Sequence, residues 1–187
     1  MKLAASNLEK IFRQALNYND YIATGDAGRW DAVYKAVSLS PDQQALTKSF
    51  TRKMNILVIS GTWCGDCVEQ CPLLARIASA SDNIDLRFVD RDQFPQLRDS
   101  ITVNQGTRVP VALFLAEDFE LCSCYGDRSL SRYRMLAQKN IGAACSTGLF
   151  LPEQDVLAAT LQDWLNEVER IHLMLRLSPR LRHKHKD

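Results

Sequence analysis

Hydrophobic positions change rhythm along this chain, and the changes predict its elements. Between residues 3 and 17, Leu8, Ile11, Phe12, Ala15 and Leu16 recur at helical spacing, an amphipathic helix that must pack on something. Asp20 to Gly28 reads as a loop, and Arg29 to Val37 as a short helix carrying Trp30, Val33 and Tyr34. Ser40-Pro41 is an N-cap followed by proline at the first helical position, opening a third helix through about Arg52. From residue 54 the pattern becomes that of strands. Ile56-Leu57-Val58-Ile59 is an unbroken apolar run, predicting strand 55–60, followed by a helix over roughly 64–80. Strand 84–90 carries Ile84, Leu86, Phe88 and Val89, and a short helix near 93–100 follows. Val111 to Leu115 reads as a buried strand, with Glu120 to Tyr125 as its antiparallel partner. Ser129 to Asn140 is helical, and a glycine-containing loop, Ile141 to Leu151, leads to the last helix. There Pro152 suits the first turn, with Glu153 and Asp155 near the positive end of the dipole. Leu157, Leu161, Trp164, Leu165, Val168, Ile171, His172 and Leu175 form one apolar stripe that should cover the core.

This order predicts one α/β unit. Residues 1–52 would be a helical extension packed on a core at 53–140, and residues 141–187 a loop, a long helix and a basic tail. Arg176, Arg180, Arg182, Lys184 and Lys186 read as that short, frayed tail, with His183 and His185 solvated within it.

Composition narrows the function. Of the 187 residues, 46% are apolar and 24% charged, as in ordinary soluble globular proteins. A formal net charge of +1 supplies no general attraction to nucleic acid or to an anionic membrane. No apolar stretch approaches the ~20 residues needed to span a bilayer. The first ten residues carry no continuous apolar segment of the secretory kind, so a cytoplasmic protein with reduced thiols is expected. Six cysteines in a chain of this length are too sparse for a disulfide-stapled domain. Paired cysteines in that setting point to redox catalysis or a metal.

The pair that matters is in Trp63-Cys64-Gly65-Asp66-Cys67, directly after the first apolar run and at the start of a helical segment. A thiol at a helix N-terminus meets unpaired N–H groups and the positive end of the macrodipole, which favour its thiolate. A second thiol one turn later on the same face can attack a mixed disulfide formed by the first. Cys64 and Cys67 are therefore the candidate dithiol.

The order strand–helix–strand–helix–strand–strand–helix over 55–140, with C-x-x-C after the first strand and Val109-Pro110 before the third, resembles the thioredoxin fold: a central mixed sheet flanked by helices. Trp63-Cys64-Gly65-Asp66-Cys67 is similar to the W-C-G-P-C site of that family, with aspartate in place of proline. Pro72, five residues after Cys67, matches the proline that bends the active-site helix. Val109-Pro110 looks like the cis-proline step, which would leave the Val109 backbone free to pair with an extended substrate beside Cys64. Beyond the core, Tyr133 to Lys139 through Cys145 to Gly148 resembles a group of uncharacterised bacterial thioredoxin-like proteins.

The resemblance implies thiol–disulfide exchange on protein disulfides. Cys64 would attack, Cys67 would resolve, and Asp66 would tune or relay protons. Trp63, Gly65, Val109 and Pro110 would shape the docking surface. The family's buried strand aspartate, six residues before the first cysteine, is replaced by Val58. The charge of Asp66 would disfavour a nearby thiolate and oppose the helix dipole, making the pair a reductant or exchange catalyst rather than a strong oxidant. No dinucleotide fingerprint or phosphate-binding glycine loop is present, so no cofactor is expected, and an unidentified upstream reductase would supply electrons. The alternative reading is a thioredoxin-like protein-interaction module in which the cysteines are incidental.

The remaining thiols and His172 read as structural. Cys71 lies about 10 Å along the helix from Cys64, beyond disulfide reach, and should be a small buried hydrophobe. Cys122 and Cys124 would share one face of a regular strand. With Cys64 and Cys67 they could formally make a zinc site, but C-x-C on a strand suits a tetrahedron poorly, so no metal is expected. Cys145 reads as a free loop thiol and His172 as a satisfied core residue.

Overall fold

The computed structural model describes residues 3–140 and 155–187. Four strands make one mixed sheet in the order β2-β1-β3-β4: β1 (Met54–Ser60), β2 (Ile84–Asp90), β3 (Val111–Ala116) and β4 (Leu121–Gly126). β1 runs parallel to β2 and antiparallel to β3, and β3 is antiparallel to β4. β1 and β3 are buried at every position, which is why they read as continuous apolar runs rather than alternating ones.

The helices are α1 (Ala5–Gln14), α2 (Tyr18–Ile22), α3 (Ala27–Ala36), α4 (Pro41–Lys48), α5 (Gly65–Ala78), α6 (Pro95–Asp99), α7 (Leu130–Asn140), α8 (Val156–Leu177) and α9 (Pro179–His185). This is the α/β thioredoxin-like architecture, closed by a long C-terminal helix. Among the described residues no helix is long and apolar enough to cross a membrane. α5 packs against both α3 and α8. The α8 stripe from Leu161 to Leu175 is buried, and Trp164 meets Tyr125 of β4 edge-on at 5.0 Å.

Several local expectations are corrected. The segment expected as a loop after Asp20 overlaps α2, whose N-cap Asn17 accepts from the Asp20 N–H. Just before it, Leu16 exchanges two backbone hydrogen bonds with Phe88, covering part of the outer edge of β2. Tyr18 and Tyr21 then pack on Phe88, and Tyr21 meets Trp30 of α3. The third helix starts at the capping box of Ser40 and Gln43 but ends at Lys48, short of Arg52.

The basic tail is not frayed. Ser178-Pro179 repeats the cap-and-proline signal of Ser40-Pro41, and α9 follows with Leu181 wholly buried. Its basic side chains find acids at the β3–β4 turn: Arg180 pairs with Asp118, and Lys184 and His185 reach Glu117 at 2.5 and 2.8 Å. His185 is thus partnered rather than simply solvated.

β4 is not regular either. Leu115 pairs with Leu121 and Phe114 with Ser123, so Cys122 is the extra residue of a bulge. Strict alternation between Cys122 and Cys124 is broken there; Cys122 packs against the core while Cys124 is exposed. His172 is buried and stacks on Phe50 at 4.4 Å, but its Nδ1 has no hydrogen-bond partner among the described residues, so within them it is not a fully satisfied core residue. The loop Ile141 to Leu151 with Cys145, and the helix start expected at Pro152 and Glu153, lie outside the described residues. The described helix begins after Asp155, which accepts from the Leu157 and Ala158 N–H groups.

Candidate active site

β1 ends at Ser60, the chain turns so that the Cys64 N–H meets the Gly61 carbonyl at 3.0 Å, and α5 begins at Gly65. Cys64 is the N-cap, in extended conformation (φ −82°, ψ 123°), so its sulfur stands at the positive end of a 14-residue helix. Cys67 lies inside the first turn, close to Cys64 and fully buried, while Cys64 is half-buried. The Cys64 thiol points at the Val109 carbonyl, 3.7 Å away, and the following Val109–Pro110 peptide is cis. The Pro110 carbonyl is packed so tightly on Gly126 that a Cβ there would sit 2.3 Å from it, at a φ of +149°. Only glycine fits beneath that step.

Around this centre Trp63 is 56% exposed, with the Arg91 guanidinium 4.8 Å from its ring centroid. Gly65 is exposed, and a Cβ at that position would meet nothing within 4 Å. Thr62 is cradled from upstream. Its carbonyl accepts from the Trp30 indole N–H at 3.3 Å, and a Cβ on Gly25 would lie 2.5 Å from its side chain.

Asp66 is held by basic partners from α7 and the chain before it. Asp66 does not present a free carboxylate to the thiols. Arg128 binds both of its oxygens and Arg132 approaches at 3.7 Å while also pairing with Glu69. Arg128 reaches Asp127 as well, at 3.3 Å. Asp127 is buried; burial pushes its carboxyl up, but Tyr133, Arg108 and Arg128 outweigh that and hold it below the usual range. Gln70, wholly buried, donates to the Asp127 carbonyl at 3.0 Å and accepts from the Ser129 N–H at 3.0 Å, fastening α5 to the chain entering α7. Gln70, Arg128 and Arg132 had no signal in the sequence, because the partners are far apart along the chain.

The thiols share one proton economy. The contact with Cys67 and burial push the Cys64 thiol up, opposed by the backbone N–H groups of Cys67 and Asp66. Burial, foremost, pushes Cys67 up.

The sequence profile of the thioredoxin family matches residues 15–139. The chain belongs to the thioredoxin family. No curated protein matches it. Among solved structures, a protein of unknown function from Pseudomonas aeruginosa is 18% identical, with a TM-score of 0.67 over 86% of this chain and 95% of that one. An HIV epitope-scaffold is 16% identical, with a TM-score of 0.64 over 87% of this chain and 95% of that one. Both are likenesses of fold.

Within this thioredoxin-family site, Val58 is fully buried in β1, where it pairs with Phe88 and Ala112. Ser60, two residues further along β1, and Cys71 of α5 are buried too, with Oγ and Sγ 3.8 Å apart. Among the described residues no cluster of three or more His, Cys, Asp or Glu side chains is placed to hold a metal ion.

Proposed function

We propose that this chain is a thiol–disulfide oxidoreductase acting on protein disulfides as a reductant or exchange catalyst. The observation that carries this is the Cys64–Cys67 pair at the N-terminus of α5, with the Cys64 thiol against the Val109 carbonyl beside the cis proline. The attacking sulfur is Cys64, the less buried thiol and the one with two backbone N–H groups turned toward it. It opens the substrate disulfide to give a mixed disulfide. Cys67 then attacks Cys64, releasing the second substrate thiol and leaving a Cys64–Cys67 disulfide for an upstream reductase.

Trp63, Gly65, Val109 and Pro110 form the docking surface: an exposed ring, a position open to an approaching chain, and a carbonyl edge. Asp66 acts by anchoring Arg128 and Arg132, so its charge is spent on them and not on the sulfurs. A reducing bias is supported by a different cause from the one the sequence suggested. Contact with Cys67 and burial push the Cys64 thiol up, burial pushes Cys67 up despite its contact with Cys64, and a weakly stabilised thiolate favours the disulfide of the enzyme itself.

Equilibration across a dithiothreitol series, with acid trapping and mass spectrometry, tests the reading. A two-electron Cys64–Cys67 transition near about −270 mV is expected; one near about −120 mV would make the protein an oxidant. Cys64→Ser should abolish turnover, and Cys67→Ser should leave a trapped mixed disulfide. If no disulfide forms at any potential, the catalytic reading fails and the interaction module replaces it.

A further inference from the structure

The docking surface is built from two separate parts of the chain: Trp63 from the thiol turn after β1, and Val109-Pro110 from the loop before β3. Arg91, the first residue after β2, touches both. Its backbone N–H donates to the Ser60 carbonyl at 2.8 Å, fixing it beside the end of β1. Its guanidinium lies over the Trp63 ring, 4.8 Å from the centroid, and Nη1 donates to the Thr107 carbonyl at 3.1 Å, two residues before Val109. Nε turns to Asp92 at 3.3 Å. The Trp63 ring also rests against Gly61, where a Cβ would sit 2.8 Å from it. A planar guanidinium can stack by its face while donating along its edge, whereas an ammonium is a point charge that cannot do both.

Resting on the oxidoreductase reading, we propose that Arg91 is a positioning residue that fits the site to polypeptide disulfides over small ones. It braces Trp63 against residues 107–109, so that the ring and the Val109 carbonyl stay in register beside Cys64. An extended polypeptide that pairs with the Val109 backbone and lays a side chain on Trp63 needs both walls at a fixed separation. A small disulfide without a backbone needs only access to the Cys64 sulfur. Holding the walls before the substrate arrives removes an ordering cost that binding would otherwise carry. Arg91 acts through Trp63 and Thr107 rather than on the sulfurs.

The test compares two substrates. Reduced protein, freed of reductant, is mixed with insulin or with hydroxyethyl disulfide, which has no peptide backbone. Samples are quenched in acid and alkylated, and the appearance of the Cys64–Cys67 disulfide is followed by mass spectrometry. In Arg91→Ala the rate constant with insulin should fall about tenfold, the loss of one stacking contact and one hydrogen bond, while that with hydroxyethyl disulfide stays within about twofold of wild type. Arg91→Lys keeps the charge but not the planar fork, and should remain at least about threefold slow on insulin. In a Trp63→Ala background, Arg91→Ala should cost less than it does in wild type, because both residues serve one contact surface. Arg91→Ala acting on insulin at the wild-type rate overturns the proposal. So does full recovery in Arg91→Lys, which would assign the effect to charge alone. Equal slowing on both substrates overturns it too, since that is what mere loosening of the thiol turn would give. Failure of wild type to form the disulfide with either substrate would overturn the oxidoreductase reading itself, and this inference with it.

Discussion

Arg128 grips Asp66 with two nitrogens, Nε lying 3.0 Å from one carboxylate oxygen and Nη2 2.5 Å from the other. The two residues are neighbours only because the β4–α7 connection folds back over the start of α5. This pair decides what the aspartate in the C-x-x-C sequence does. Removing Arg128 leaves a poorly compensated carboxylate next to Cys67, and like charge disfavours a thiolate. In Arg128→Ala, alkylation of Cys64 by iodoacetamide at pH 7 should slow by about threefold to tenfold, as a shift of up to about one pKa unit implies. Adding Asp66→Asn should restore the rate. An unchanged rate in the single variant would mean that Arg132 alone suffices to hold the charge.

Gln70 offers a test of stability rather than chemistry. Gln70→Leu keeps the bulk but strips partners from the Asp127 carbonyl and the Ser129 N–H, both next to buried side chains. Each buried group left unpaired costs about 1–3 kcal/mol. The urea midpoint should fall accordingly, and a loss below about 0.5 kcal/mol would show that water replaces the amide.

Leu181 reports on the docking of α9. Leu181→Ala should destabilise the protein by about 2–5 kcal/mol, the usual loss for a buried leucine. A truly frayed tail would give no change in the same denaturation curve.

His172 should make the fold sensitive to mild acid. Burial, aided by Arg176 and Arg52, lowers its pKa from the ordinary value near 6.5. The unfolded chain therefore takes up the proton first as pH falls. The contribution of neutral His172 is fully present above about 6.5 and is lost as pH drops from there through the lower folded value. His172→Phe, which keeps an aromatic ring against Phe50, should flatten the stability difference between pH 7.5 and 5.5. An identical pH dependence in wild type and variant would show that other groups govern it.

Much of the architecture was legible because local signals and tertiary structure agree. The apolar runs of β1 and β3 are fully buried strands, and the α8 stripe is the face packed on the core. Cys64 and Cys67 lie where the strand-to-helix junction put them. What escaped was of two kinds. Ser178-Pro179 was a readable start signal hidden by the charge of the residues after it, whose acids at Glu117 and Asp118 lie some sixty positions away. The Cys122 bulge, the arginine clamp on Asp66 and the Gln70 bridge exist only through pairing across the fold, and residue spacing carries no trace of such pairing.

Trp30 and Gly25 press on Thr62 from a part of the chain that precedes the sheet altogether. The consequence is one of inheritance. A substitution at either position would press on the turn that carries Trp63 and Cys64, so the upstream helices and the thiol turn are tied to one another in space. Such a chain cannot donate its thiol turn to another scaffold as a loose cassette; the helices that steady it must travel too.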